Sequence, residues 1–187
     1  MSKLPSLTGV STNNIYIFYR MTNIRRFWDS GYPYFLTHVT HDRAPILIDN
    51  IDLWHEAIRF TMGILPFELI AWVVLPDHVH LLINTDKSDF SYLSKRMKMK
   101  FSGQYRARHK FRAGRVWQYR FWDHKIRDEN DFRKHFDYIH YNPVKHGFVT
   151  KAIEYKHSSF NKYYNEGYYP ADWGVNESPD LSGDYGE

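Results

Sequence analysis

His78-Val79-His80 puts two imidazoles two residues apart inside the run Ala71-Trp72-Val73-Val74-Leu75-Pro76-Asp77-His78-Val79-His80-Leu81-Leu82-Ile83. The β-branched residues around the pair predict a strand. A strand has a period of two, so both rings point to one face. Two imidazoles side by side on an apolar face are a ligand pair for a divalent metal. They are also what a packed, hydrogen-bonded pair of core histidines looks like, and an isolated His-x-His is more often that. Sixty residues on lies a second set, Asp137-Tyr138-Ile139-His140-Tyr141-Asn142-Pro143-Val144-Lys145-His146-Gly147. On a helical wheel of about 100° per residue, Phe132, Phe136 and Ile139 share one face, assigned to the core. Asp131, His135, Tyr138 and Asn142 share another, about a quarter turn away. Tyr138 and Asn142 are one helical turn apart, so their side chains are neighbours. Alone, that pair is an exposed Tyr beside an Asn that ends a helix before proline.

The elements that must position these residues follow from period and punctuation. Tyr34–Val39 reads as a first strand. Asp49-Asn50 caps a helix to about Thr61, with Ile51, Trp54, Ala57, Ile58 and Met62 at helical spacing and Gly63 ending it. Phe67–Leu75 and His78–Asn84 read as strands of a hairpin turned at Pro76-Asp77. Asp89 to about His109 is a long basic helix, Phe111–Gly114 a loop, and Val116–Ile126 contains a fourth strand. Asp128 opens another helix, which Pro143 is expected to stop at Asn142. Ser158–Asn165 is a short last helix. The order β-α-β-β-α-β, then helix, predicts an α+β fold: a ferredoxin-like (RRM- or palm-like) antiparallel sheet with helices on one face. Residues 1–32, with Arg20, Arg25 and Arg26, read as an N-terminal arm. Residues 33–174 read as one domain, and residues 175–187 as an acidic mobile tail.

Composition bounds the chemistry. The 187 residues include no cysteine, which excludes disulfides and thiolate zinc sites and suits a reducing cytoplasm. The longest apolar run, Leu69–Leu75, is too short to span a bilayer, and the first twenty residues lack a signal-peptide pattern. A cytoplasmic protein without a membrane segment is therefore expected. The net charge is +4, but its distribution says more. From Lys95 to Trp122 there are ten Lys or Arg and no acid, whereas Glu177, Asp180, Asp184 and Glu187 face no base. Without those four acids the chain holds 25 basic and 17 acidic residues. A basic body with an acidic tail points to a polyanion partner. Tyr105, Phe111, Trp117, Tyr119, Phe121 and Trp122 lie among the cations, where flat rings can stack unpaired bases. The candidate phosphate contacts are Lys95, Arg96, Lys98, Lys100, Arg106, Arg108, Arg115 and Arg120. The tail is either a tethered competitor for that basic surface or a solubilising segment.

Several motifs in fixed order resemble the REP-associated tyrosine transposases, a family of the HUH single-strand nucleases related to the single-tyrosine transposases of small insertion sequences. The resemblance rests on Phe35–Ala44 (FLTHVTHDRA), Leu75–Leu82 (LPDHVHLL), Val116–Arg127 (VWQYRFWDHKIR) and Tyr138–Gly147 (YIHYNPVKHG). Ser158-Ser159-Phe160 and Tyr169-Pro170-Ala171-Asp172-Trp173 extend it, so it spans residues 33–174. It implies an HUH-type sheet, His78 and His80 as metal ligands, and Tyr138 as nucleophile. Asn142 would be the third ligand, where the related enzymes have Gln, so its shorter side chain must sit closer to the ion.

The implied chemistry suits these residue types. Two neutral imidazoles and an amide oxygen are an uncharged ligand set that suits Mg²⁺ or Mn²⁺. Tyr138 would attack phosphorus, release a 3′-hydroxyl and form a 5′-phosphotyrosine, with no nucleotide cofactor. A phenol titrates near pH ~10, so a helper is needed; His140 and His135 are the candidates. The implied partner is a DNA hairpin with an adjacent single-stranded segment. Two other classes fit the same residues: a non-catalytic hairpin-binding ferredoxin-like module, and a metal-dependent hydrolase that acts through water. Only the tyrosine mechanism leaves a covalent protein–DNA ester.

Overall fold

In the computed structural model, residues 32–85, 90–175 and 178–187 are described. Apart from Tyr32, the expected N-terminal arm lies outside them. Strands β1 (Tyr32–Val39), β2 (Glu68–Val74), β3 (His78–Thr85) and β4 (Trp122–Lys125) form one sheet in the order β2-β3-β1-β4. Every neighbouring pair is antiparallel. Helix α1 (Ile51–Ile64) joins β1 to β2, and α2 (Phe90–His109) joins β3 to β4. Helices α3 (Glu129–Lys145) and α4 (Phe160–Asn165) follow the sheet. This is the expected ferredoxin-like order.

The helices cover both faces of the sheet, not one. Leu36, Val79, Leu81 and Ile83 pack with Leu53, Trp54, Leu93 and Met97 of α1 and α2. Phe35, Val73 and Leu82 pack with Phe132, Phe136 and Ile139 of α3 and with Phe160 and Tyr163 of α4. The sequence carried the reason. All eight residues of β3 are buried, and a strand covered on both sides loses the apolar-polar alternation that marks a solvated face. With α1 and α2 filling one face, the apolar stripe of α3 has only the other to bury against.

A second difference concerns Pro143. The helix does not stop at Asn142 but continues to Lys145 with Pro143 inside it. Proline removes one intrahelical bond, and this close to the helix end little else is lost. The end is closed by His146 N donating to Asn142 O (3.0 Å) and Phe148 N to Pro143 O (2.9 Å). Gly147, at φ 71°, supplies the left-handed residue after the last turn. The extra turn brings Lys145 and His146 alongside Tyr138 and Asn142.

His38 sits buried on the α1–α2 face, where Ser94 Oγ lies 3.1 Å from Nε2. Burial, helped by the charges of Lys98 and His80, lowers its pKa to about 3. The folded value lies below that of the unfolded chain, so between pH ~6.5 and ~3 only the unfolded chain takes up this proton. Stability should fall across that window by up to about 1.4 kcal/mol per pH unit from this group. Denaturant unfolding at several pH values should show a shallower acid slope for His38→Gln; an identical slope would show that His38 does not titrate on unfolding.

Candidate active site

β3 sends His78 and His80 to the α3 face, and the β1–β3 register sets Thr37 opposite His80. Both imidazoles are buried. Asp77 Oδ1 lies 2.6 Å from His78 Nδ1, and Thr37 Oγ1 lies 2.9 Å from His80 Nδ1. Each ring is thus oriented through Nδ1 and presents Nε2 to the same space. α3 brings Asn142 there: its Nδ2 is 3.3 Å from His80 Nε2. The two motifs, sixty residues apart in sequence, meet in the fold. His78 Nε2 and Asn142 Oδ1 are buried without a hydrogen-bond partner. Buried imidazole nitrogens that face one space, beside an amide whose oxygen has no partner, are the donor types a divalent cation takes, so these residues fit the implied ion.

Tyr138 lies beside that pocket, its ring 5.2 Å from the His80 ring in edge contact. It is 1% exposed. Lys145 Nζ donates to its phenolic oxygen at 3.1 Å and lies 4.8 Å from the ring centroid. Burial first, and then the Glu187 carboxylate, push the phenol well above its ordinary pKa. In this arrangement Tyr138 is held protonated.

The tail supplies that carboxylate. Expected as a mobile acidic segment, it ends inside the pocket. Glu187 Oε1 lies 3.0 Å from His80 Nε2 and 3.5 Å from His78 Nε2. It accepts from Asn142 Nδ2 at 2.7 Å and lies 3.2 Å from His146 Nε2, while Lys145 Nζ meets Oε2 at 2.5 Å. Burial opposes ionisation of Glu187, but its contacts with His78, His80, Lys145 and Tyr138 outweigh it and hold the carboxyl far below its usual range. Tyr185 stacks on Tyr138, with centroids 3.6 Å apart and planes within 5°. Further back, Asp180 pairs with Lys134 at 2.8 Å. Glu177 lies outside the described residues. Gly186 is needed for this path. Its φ is 71°, and a Cβ there would collide with the Trp122 side chain.

The chain matches the family described as IS200-like transposases over residues 29–142. It is 39% identical over 175 residues to a Haemophilus influenzae protein named a REP-associated tyrosine transposase, covering 88% of this chain and 99% of that one. An Escherichia coli K12 REP-associated tyrosine transposase is 35% identical over 156 residues, covering 82% and 91%. Among solved structures, a REP-associated tyrosine transposase bound to a REP hairpin superposes with a TM-score of 0.71 at 33% identity, covering 84% of this chain and 91% of that one. The chain belongs to the REP-associated tyrosine transposases.

In this member of the family, neither candidate helper histidine reaches the Tyr138 hydroxyl. Both nitrogens of His140 are engaged elsewhere, with Tyr169 Oη at 3.0 Å and Ser159 Oγ at 2.8 Å. His135 Nδ1 lies 2.8 Å from the Asp131 carbonyl, and its ring stacks on His124. Burial lowers the His135 pKa. Lys145 is the residue on the phenol, and its place in the Tyr138–Gly147 motif was the available sequence signal. The signal for Tyr185 and Glu187 was only the tail's acidity.

The basic residues of this transposase divide in two. Lys100 pairs with Glu56 (2.9 Å) and Arg108 with Asp52 (2.5 Å), tying α2 to α1. Lys98 donates to Gln118 O at 3.1 Å and Arg106 to Gly114 O at 2.5 Å. Arg96 is half-buried, 5.7 Å from the Phe60 ring centroid. Lys95, Arg115 and Arg120 are exposed. Lys95, Lys98, Arg106 and Arg115 line a cavity of about 620 Å³ with Trp117 and Phe121, beside α2. α2 packs on the sheet face opposite Tyr138.

Removing residues 178–187, or substituting Gly186→Ala, should uncover Tyr138. Nitration of Tyr138 by tetranitromethane, followed by peptide mass spectrometry, should then be roughly ten times faster, which about 1.4 kcal/mol of tail contact would support. Equal rates in all three proteins would mean that the tail does not cover Tyr138 in solution.

Proposed function

We propose that the chain is a metal-dependent single-strand DNA endonuclease and strand transferase that acts on REP-type hairpins carrying an adjacent single-stranded segment. The observation that carries this reading is the meeting of His78, His80 and Asn142 beside Tyr138. The hairpin is supported by the homologous transposase solved with a REP hairpin.

In the proposed reaction, Tyr138 Oη attacks the scissile phosphorus. The P–O3′ bond breaks, the 3′-oxygen leaves as a hydroxyl after taking a proton, and the phosphate stays joined to the tyrosine through its 5′ strand. The ester keeps the bond energy, so a 3′-hydroxyl reverses the step and no nucleotide cofactor is required. His78, His80 and Asn142 would hold Mg²⁺ or Mn²⁺, which when bound polarises the phosphodiester and offsets its developing charge. Lys145 stabilises the phenolate as its proton leaves, a role for which its 3.1 Å contact with Tyr138 suits it. Exposed Lys95, Arg115 and Arg120, with the aromatic-lined cavity beside α2, would grip the hairpin backbone. Among the described residues no helix is long and apolar enough to cross a membrane, and a DNA substrate places the reaction in the cytoplasm.

The reaction requires the tail to leave. Glu187 and Tyr185 occupy the space a phosphate and its neighbouring base would need, so the tail acts as a tethered competitor. Short ion pairs and a buried ring stack hold it, and salt screens such contacts less than it screens surface charges.

With labelled single-stranded hairpin oligonucleotides and Mn²⁺, the chain lacking residues 178–187 should form a denaturant-resistant adduct faster than the full chain. Tyr138→Phe in either background should abolish the adduct while hairpin binding persists. An adduct that survives Tyr138→Phe, or maps to Tyr141, would overturn the assignment. Strand cleavage with no adduct would favour the water-using hydrolase, and binding without cleavage in the shortened chain the non-catalytic module.

The division of the cations gives a separate expectation. Fluorescence anisotropy across a salt series should show Lys95→Ala, Arg115→Ala and Arg120→Ala each flattening the slope of log K against log salt by up to about 0.9, whatever the hairpin sequence. Lys100→Ala and Arg108→Ala should change it less, because Glu56 and Asp52 already neutralise them. The reverse ranking would place the phosphate contacts on the α1–α2 pairs.

A further inference from the structure

Thr37 fixes the protonation of His80. Its hydroxyl donates to the Tyr185 carbonyl at 2.6 Å, an oxygen that can only accept. The same Oγ1, 2.9 Å from His80 Nδ1, must therefore accept from an Nδ1–H. The neutral His80 ring then carries a bare lone pair on Nε2, and Asn142 Nδ2, a donor, faces that nitrogen at 3.3 Å. His78 is set the same way. Its Nδ1–H meets the Asp77 carboxylate at 2.6 Å, which leaves Nε2 bare and, where it is buried, without a hydrogen-bond partner.

Both bare nitrogens face Glu187 Oε1, at 3.0 Å from His80 and 3.5 Å from His78. Two lone pairs and an anionic oxygen at this range repel one another unless a metal ion or a proton lies among them. The spacing itself is informative. Neighbouring ligands on an octahedral ion with bonds of about 2.1 Å are about 3.0 Å apart. The set His78–His80–Glu187 has its ligand atoms within 4.8 Å of one another, and Asn142, whose Nδ2 faces both His80 and Glu187, carries a buried Oδ1 without a partner.

We propose that Glu187 is itself a ligand of the divalent ion held by His78, His80 and Asn142, so that the metal latches the tail over Tyr138. The inference rests on the metal-site reading above. On this account the ion has two successive anionic partners at one position: the Glu187 carboxylate in the closed enzyme, and a phosphate oxygen of DNA once the tail is displaced. The ion that serves cleavage also holds the inhibitory segment in place. By linkage, whatever the tail adds to metal affinity, the metal adds to tail closure by the same factor.

The test is the Mn²⁺ affinity of the DNA-free protein, measured by calorimetry with MnCl₂ on the full chain, Glu187→Gln, Gly186→Ala and His80→Ala. The latch predicts that Glu187→Gln weakens Mn²⁺ binding about tenfold or more. Gly186→Ala, which leaves every ligand intact but cannot seat the tail against Trp122, should weaken it similarly. Mn²⁺ should also slow tetranitromethane modification of Tyr138 in the full chain and leave it unchanged in Glu187→Gln. Equal affinity of Glu187→Gln and the full chain, with binding lost in His80→Ala, would overturn the latch and leave the metal site standing. Tighter binding by Glu187→Gln would also overturn it, by showing that the carboxylate takes the ion's place. No Mn²⁺ binding by the full chain, or binding unaffected by His80→Ala, would remove the metal site and the latch together.

Discussion

β3 is buried from end to end, and the site depends on which of its residues face which layer. Val79, Leu81 and Ile83 anchor α1 and α2 on one side, while Leu82 anchors α3 and α4 on the other. Burying side chains of this size contributes roughly 1.5–3 kcal/mol each. A one-residue slip would exchange the two sets and move both histidines to the α2 side. The register with β1 is therefore fixed by apolar packing, and the polar residues His78, His80 and Thr37 are carried into place by it. α3 arrives by the same physics. Phe132, Phe136 and Ile139 seat it on the sheet, and Tyr138, one residue before Ile139 on the helix, is turned toward the His80 ring.

Low polarity around the pocket makes its few polar groups consequential. Tyr138, His80 and Asn142 are nearly or wholly buried, so an unpaired charge or lone pair there is costly. Glu187, from the end of the tail, meets Lys145 on the last turn of α3 while facing both imidazoles. Desolvation, with that carboxylate beside it, keeps the Tyr138 phenol protonated. The tail contacts and the proposed chemistry thus draw on one set of side chains.

Much of the fold was legible in local pattern. β-branched apolar runs bounded by turn signals located β1, β2 and β3, and helical spacing with its start and stop signals located the helices, to within a few residues; β4 was placed only within Val116–Ile126. The placement of helices on both faces was not legible, since a doubly buried strand reads as a plain apolar run. Nor was the passage of α3 through Pro143. The rule about residues before proline is a local preference, and it yields where only one backbone bond is lost near a helix end.

At the site, the sequence by itself determined that His78 and His80 share a strand face and that Tyr138 and Asn142 share a helix face. Those are consequences of backbone period, which acts within a few residues. Only the tertiary structure decided that the two faces meet, that His135 and His140 are spent on structural hydrogen bonds, that Lys145 rather than either of them reaches the phenolic oxygen, and that Lys100 and Arg108 are tied to α1. It also decided the place of the tail. Composition showed an acidic segment on a basic body, but charge attraction is non-directional and names no partner. The seat of Tyr185 and Glu187 depends on a ring face, a glycine that can pass Trp122, and a carboxylate-sized gap among buried nitrogens, and these exist only once distant segments have packed.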